Sequence, residues 1–123
     1  MIVLTYNRRD EVLVTLGLLC QQSLPDTSII VVDNASTDGT REMVQNRFPN
    51  VRVLSLPKNV GVSGWDYGIL NTESEYVLLL DDDCAPDPGA IELMLQRFRA
   101  DPGLAVLAFN IYGGAFSTEH WAS

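Results

Sequence analysis

Short apolar runs rich in β-branched residues alternate with helical patterns along the chain. Five such runs predict strands, at residues 1–6, 28–32, 51–56, 76–80 and 104–109. Because segments with helical spacing separate these runs, the connections are expected to be right-handed crossovers between parallel strands. The pattern therefore predicts one α/β domain with a doubly wound, mainly parallel sheet.

Helices are expected between these strands, over about residues 10–22, 38–48, 63–70 and 88–100. Asp10 is placed to cap the first helix, Asp38 or Thr37 the second, and Asp87 the fourth. Apolar residues of the first helix recur at three- and four-residue spacing as far as Cys20, which predicts that Cys20 shares its buried face.

Charge limits the classes of ligand. Hydrophobic residues make up 46% of the 123 residues and charged residues 20%, as expected for a chain that buries a core. Eight basic and sixteen acidic side chains give a net charge of −8. This charge argues against nucleic acid and anionic lipid as partners. A phosphate ligand would need a cation or backbone N–H groups.

The cysteines and the short apolar runs bear on location. Cys20 and Cys84 are the only two cysteines and have no metal-ligand spacing, so we expect two buried free thiols in a reducing compartment. The runs at 29–32 and 76–80 are too short to span a bilayer, and we expect no secretory leader. A cytoplasmic location follows, with the full-length protein at most peripheral to the inner face of the membrane.

The most informative feature is the acidic run at 81–83, directly after the apolar strand at 76–80. Three adjacent carboxylates repel one another unless a cation or donor groups compensate them. Mg²⁺ and Mn²⁺ are commonly held by one or two carboxylates together with substrate phosphates. A metal site is therefore one interpretation, and a solvated acidic turn that caps the next helix is the other.

Polar residues also follow the other predicted strands, where ligands bind in parallel α/β sheets. Asp33 ends the second strand, where a carboxylate either holds a ribose or base or simply starts a turn. The first strand ends in residues that either flank a nucleobase or form an ordinary polar loop, namely Thr5, Tyr6 and Asn7. The glycine-containing segment 58–64 precedes a helix and could bring backbone N–H groups to a phosphate.

Together and in this order, these segments resemble the inverting family 2 glycosyltransferases. A T-Y-N-R-like stretch lies at 5–8 and V-D-N-x-S-x-D-G-T at 32–40. An N-x-G-x-x-G segment follows at 59–64, and an apolar strand leads into D-x-D at 81–83. Four ordered matches across about two-thirds of the chain are more specific than any one of them alone.

The resemblance implies a fold, an activity and a set of site residues. The fold is the Rossmann-like three-layer sandwich called GT-A, and the reaction moves a sugar from a UDP- or dTDP-sugar to a saccharide or other hydroxyl acceptor. Asp83 would bind Mn²⁺ or Mg²⁺ on the diphosphate, and Asp33 would hold the base or ribose. The donor-binding residues implied are Thr5, Tyr6, Asn7, Asp33, Asn59, Gly64, Asp81 and Asp82.

The catalytic base stays unknown from the sequence, because the family places it well beyond the metal motif. Glu119 and His120 are expected to lie in an exposed tail, and Trp65 is expected to pack in the core or against a loop. We therefore interpret residues 1–123 as the nucleotide-sugar-binding portion of a GT-A domain without its acceptor-binding half. Self-association through the face that this half would cover is expected.

Two alternatives remain open. One is a nucleotide-binding fragment or degenerate relative without turnover, which an assay with donors and acceptors would distinguish from an enzyme. The other is a receiver-like signalling domain, in which acidic residues at strand ends also hold Mg²⁺. That domain needs a lysine late in the chain as a phosphate partner, whereas the sequence has only Lys58.

Overall fold

The computed structural model describes residues 1–22 and 24–111. The chain divides into two compact units, Met1–Ala85 and Pro86–Ser123. The strands are β1 (Ile2–Thr5), β2 (Ile30–Asp33), β3 (Arg52–Ser55) and β4 (Leu79–Asp81). The helices are α1 (Arg9–Gln21), α2 (Thr40–Arg47), α3 (Gly64–Ile69) and α4 (Ala90–Ala100), with a 3₁₀ turn at Gly61–Ser63 before α3.

The four strands form a parallel sheet in the order β3-β2-β1-β4, which confirms the prediction of a parallel α/β fold. Ile2 pairs with Ile30 on one side and with Leu79 on the other. From β1 the chain adds β2 and then β3 outward on one side, and β4 joins on the opposite side. The strand order therefore reverses between β1 and β4, where ligands bind in open α/β sheets.

Helices cover both faces of this sheet within the first unit. On one face Val3 and Val31 of the sheet pack with Val12 and Leu16 of α1 and with Val44 of α2. On the other face a second apolar cluster consists of Ile2, Ile30 and Val32, with Trp65 of α3 packed against it. The three layers and the packing role of Trp65 are as the sequence predicted.

Two glycines let α3 lie close to the sheet. A Cβ atom at Gly68 would collide with the side chain of Ile2, and one at Gly64 would collide with that of Leu4. Gly68 and Gly64 are both buried. The structure thus gives Gly64 a packing role, and its role in donor binding stays a prediction.

The fifth predicted strand is wrong. Residues 104–109 have no regular secondary structure, and the sheet formed by the described residues has four strands. Val106 within this run is 81% exposed. β-Propensity alone does not make a strand, because a strand needs a ladder partner and a surface to bury.

Helix starts also differ from the predictions. Asp10 lies inside the first turn of α1 rather than at its cap, and the N–H of Arg9 donates instead to Asp38 Oδ2 at 3.1 Å. Helix α4 begins at Ala90 after Gly89, which has a φ of 85°. Asp87 accepts the Ala90 N–H through its backbone carbonyl, so it does not cap α4 with its side chain.

The prediction of two buried thiols is wrong, since Cys20 is exposed and Cys84 is partly exposed. The buried side of α1 instead consists of Val12, Leu13, Thr15, Leu16 and Leu19. This buried side includes Leu13 and Thr15 and ends at Leu19, so Cys20, one position further along the helix, lies on the exposed side. Within the described residues, no helix is both long enough and apolar enough to cross a membrane.

Candidate functional site

The carboxyl ends of β1, β2 and β4 meet at one edge of the sheet, next to the reversal in strand order. An open depression of about 260 Å³ lies there. Its lining includes five of the predicted donor-binding residues, which are Thr5, Tyr6, Asn59, Asp81 and Asp82. Three other predicted residues are outside this lining, namely Asn7, Asp33 and Gly64. The structure therefore brings together residues that are more than 70 positions apart in sequence.

Asp82 is the fixed member of the acidic run. It is only 6% exposed, and the Thr5 hydroxyl donates to its Oδ2 at 2.9 Å. The Thr15 hydroxyl donates to its backbone carbonyl at 2.7 Å. Burial raises the pKa of Asp82, against the opposing effects of the Thr5 hydrogen bond and the Arg8 charge. These contacts hold the end of β4 against β1 and α1.

Arg8 partly neutralises the acidic run. Its Nε lies 3.2 Å from Asp82 Oδ1 and its Nη2 lies 3.0 Å from Asp83 Oδ2. A longer contact of 3.9 Å joins Nε to Glu11. Arg8 lies in the T-Y-N-R-like stretch but was not among the predicted site residues. The sequence feature that could have identified Arg8 as a site residue is its position as a cation directly after the first strand.

Asp81 and Asp83 are both exposed. Asp81 lines the depression, whereas Asp83, the predicted metal ligand, is outside the lining and pairs with Arg8, which is part of it. Carboxylate oxygens are ligands suited to Mg²⁺ and Mn²⁺. Among the described residues no group of three histidine, cysteine or acidic side chains is arranged to hold a metal ion. A cation held by one or two carboxylates would need ligand oxygens to complete its coordination.

Cys84 lies next to Asp83, with Sγ 3.4 Å from Asp83 Oδ1. Burial and the neighbouring Asp83 carboxylate raise the pKa of Cys84. The thiol form is therefore favoured, and the thiolate that a soft metal would need is disfavoured.

Asn7 and Asp33 join the loops that follow β1 and β2. Asn7 Oδ1 accepts the Thr37 N–H at 2.7 Å, and the Asn7 N–H donates to Ser36 Oγ at 2.9 Å. Asp33, 2% exposed, accepts the Ser36 N–H at 3.0 Å. These contacts position the loops beside the depression, and direct donor contacts by Asn7 and Asp33 stay predictions.

Asn34 is a site residue that the sequence analysis did not select. It is 3% exposed, and its Nδ2 donates to the Gly61 carbonyl at 3.0 Å while its Oδ1 accepts the Val60 N–H at 2.8 Å. Asn59 Oδ1 accepts the Gly61 N–H at 2.8 Å. The second strand thus fixes the glycine-containing loop that forms one wall of the depression. The only signal in the sequence was the place of Asn34 within the 32–40 match.

Asp38 joins the starts of two helices. Its Oδ2 accepts the N–H of Arg9 in α1, and its Oδ1 accepts the N–H of Thr40 in α2 at 3.0 Å and the Thr40 hydroxyl. Burial alone would raise the pKa of Asp38, but the hydrogen bonds from Thr40 and Arg9 outweigh it and lower the pKa. The N-cap residue of α2 is Gly39, without a side-chain capping bond, so the prediction that Asp38 or Thr37 caps this helix is wrong. Asp38 instead bonds to Thr40 from the position before the cap.

Glu119 and His120 lie outside the described residues. Their predicted placement in an exposed tail therefore stays a prediction.

Curated proteins that resemble this chain are glycosyltransferases and polysaccharide synthases. The chain is 32% identical over 96 residues to the cholesterol galactosyltransferase of Borreliella burgdorferi, covering 74% of this chain and 26% of that protein. It is 29% identical over 108 residues to the poly-beta-1,6-N-acetyl-D-glucosamine synthase of Staphylococcus epidermidis, covering 85% and 26%. The chain thus spans about a quarter of the length of these relatives.

Solved structures give the same result for the fold. S. aureus TarS 1-349 in complex with UDP-GlcNAc matches with a TM-score of 0.70 and 27% identity, over 80% of this chain and 30% of that one. The mannosyltransferase PcManGT from Pyrobaculum calidifontis, in complex with GDP-Man and Mn²⁺, matches with a TM-score of 0.71 and 25% identity, over 82% and 32%. The GT-A fold is confirmed.

The family resemblance drawn from four ordered motifs is also confirmed. The sequence pattern of the family described as Glycosyl transferase family 2 matches residues 1–123, the whole of the sequence. The chain belongs to glycosyl transferase family 2.

Proposed function

We propose that this chain is the donor-binding part of a glycosyltransferase and takes a nucleoside diphosphate sugar in the depression between β1 and β4. The observation that carries the proposal is the meeting of Thr5, Asn59 and Asp82 in one depression where the strand order reverses. Family membership supports it, as do structural neighbours solved with UDP-GlcNAc and with GDP-Man.

The charge of the site argues for a divalent cation. Among the described residues, Arg8 is the cation that pairs with Asp82 and Asp83, and the chain carries a net charge of −8. A diphosphate would be repelled unless a cation lay between. Asp83 would hold Mn²⁺ or Mg²⁺ together with diphosphate oxygens, and Asp81 is the second available carboxylate. When bound, such a cation stabilises the negative charge that develops on a leaving diphosphate.

Other residues of the depression are proposed to bind the nucleoside. The ring of Tyr6 is 45% exposed beside Thr5 and offers a flat apolar surface for a base. Asp81 or Asp82 would accept hydrogen bonds from ribose hydroxyls, since carboxylate oxygens are acceptors. The proposed donor is a UDP- or dTDP-sugar, and the proposed acceptor is a saccharide or another hydroxyl compound.

The reaction proposed is inverting transfer. It needs a general base that removes the acceptor proton on the face opposite the leaving group. None of the residues described above is assigned this role. Binding of a nucleotide without turnover is therefore the second candidate function, and an assay for sugar transfer with donor and acceptor panels separates the two.

Calorimetric titration with UDP, dTDP and GDP, each with and without Mn²⁺, tests the binding proposal. We expect binding that needs Mn²⁺ and that weakens at least about tenfold in Asp83→Asn, because a lost carboxylate ligand removes a cation contact. Asp10→Asn is the matched control, since it removes the same charge from a side chain that is 81% exposed in α1. Metal-independent binding, or equal binding by Asp83→Asn, would contradict the proposal.

A further inference from the structure

Arg8 is a cation already in contact with the acidic run. It directly precedes α1, its side chain is 44% exposed, and it bridges Asp82 and Asp83 through different nitrogens. Nη2 of Arg8 lies 3.0 Å from Asp83 Oδ2. The guanidinium thus uses an oxygen of the carboxylate proposed to bind a divalent cation.

The two contacts of Arg8 differ in how easily they can be exchanged. The side chain of Asp82 is 9% exposed and is also held by Thr5. The side chain of Asp83 is 48% exposed. An exposed ion pair contributes little to stability, whereas breaking a buried one leaves an uncompensated charge. Arg8 can therefore release Asp83 while it stays on Asp82.

We infer that Arg8 is a positioning residue that competes with the divalent cation for Asp83 and so weakens metal binding in the absence of nucleotide. This inference rests on the proposed function, in which Asp83 is a metal ligand. The guanidinium of Arg8 and a divalent cation would both bind Asp83 Oδ2, and the two positive charges repel each other. The negative charge of a diphosphate offsets that repulsion. Arg8 thereby makes tight metal binding depend on the nucleotide.

The test is a Mn²⁺ titration without nucleotide, followed by the electron paramagnetic resonance signal of free Mn²⁺. Arg8→Gln is expected to bind Mn²⁺ about three- to tenfold more tightly than the wild type, because one nearby positive charge and one competitor are removed. Arg8→Lys keeps the charge but has one ammonium in place of the two nitrogens that bridge Asp82 and Asp83, so its Mn²⁺ affinity is expected to fall between those of the wild type and Arg8→Gln.

Arg9→Gln is the matched control. Arg9 is the next residue, its side chain is 42% exposed, and it pairs with Asp10 rather than with the acidic run. Its substitution changes the net charge by the same amount and is expected to leave Mn²⁺ affinity within about twofold. Thermal unfolding of each variant establishes that the comparison is made between folded proteins.

Unchanged or weaker Mn²⁺ binding by Arg8→Gln would overturn the inference, as would equal tightening in Arg9→Gln. If UDP binding still requires Mn²⁺ in the wild type, only the role of Arg8 is then wrong. If no variant binds Mn²⁺ and UDP binds equally well without it, Asp83 is not a metal ligand. That result would overturn the proposed metal site together with the inference.

Discussion

The side chain of Asn34 uses both its donor and its acceptor on the backbone at Val60 and Gly61. Asn34→Ala would leave these groups without their partner at a part-buried position, and we expect it to lower the free energy of unfolding by about 1–3 kcal/mol. Urea denaturation measures this change. Asn50→Ala, at an exposed position after α2, is the control and should change it by less than about 0.5 kcal/mol. Equal effects would contradict the role given to Asn34.

Asp82 and Asp38 give opposite predictions for pH. Burial raises the pKa of folded Asp82 above its unfolded value. The folded chain then binds this proton more tightly than the unfolded chain, so the contribution of Asp82 to stability falls as pH rises through that window. Asp82→Asn removes the titrating carboxyl group, and with it the decrease in stability as the pH rises. We expect its free energy of unfolding, relative to the wild type, to rise as the pH increases above the ordinary pKa of aspartate, about 3.9.

Asp38→Asn is the matched counterpart. Hydrogen bonds from Thr40 and Arg9 outweigh burial and lower the pKa of Asp38, so its contribution is present above the unfolded pKa and is lost as pH falls through the folded one. Relative to the wild type, Asp38→Asn should therefore become less stable as pH rises. Denaturation curves at several pH values measure both variants, and slopes of the same sign would contradict this explanation.

At this scale the sequence predicted which residues lie at the strand ends but not their partners. Thr5 and Asp82 were both candidates because each follows or ends an apolar run. Their hydrogen bond joins positions 77 residues apart, and that of Asn34 to Gly61 spans 27. Such pairs depend on strand order and on loop conformation, which local patterns do not contain. Arg8 and Asn34 were missed as site residues for this reason.

Among the elements, α3 depends on a close approach to the sheet at Gly68. Gly68→Ala is expected to lower the free energy of unfolding by about 1–3 kcal/mol, because the new methyl group would overlap the buried side chain of Ile2. The gain in helix propensity, about 1 kcal/mol at most, does not offset this. Thermal or urea unfolding measures the change.

Gly17 of α1 is the control for Gly68. A Cβ atom there would meet nothing within 4 Å. Gly17→Ala should therefore raise the free energy of unfolding by about 0.5–1 kcal/mol through helix propensity alone. Stabilisation of both variants would contradict the close packing of α3 on the sheet at Gly68.

The alternation of strands and helices was enough to predict four strands, the parallel sheet and the two helical layers. The fourth strand was predicted at 76–80, whereas β4 covers Leu79–Asp81 and so includes the first residue of the acidic run. The errors concern features that depend on other parts of the chain. Residues 104–109 have strand composition but no regular structure. The backbone N–H of Arg9 at the start of α1 donates to Asp38, which is 29 residues away in sequence, and not to the neighbouring Asp10. Local sequence propensity contains no information about partners that are distant in sequence.

For the whole molecule, net charge and family membership determine which ligands are expected. A net charge of −8 makes a cation the natural partner of any diphosphate bound here. The chain spans about a quarter of the length of these curated relatives, and the acceptor and the catalytic base stay proposals. Cytoplasmic location stays a prediction. So does self-association, for which light scattering is the measurement.

We propose above all that the nucleotide binds at the edge where β1, β2 and β4 end. The most direct test is a UDP titration with Mg²⁺ followed by ¹H–¹⁵N correlation spectra of the labelled chain. We expect the amide shifts to change for residues lining the depression, above all Thr5, Tyr6, Arg8, Asn34, Gly61 and Asp82. A second open depression, of about 480 Å³, lies by the amino ends of β2 and β3 and includes Ser28, Arg52 and Asn71. Changes confined to that second depression would contradict the claim.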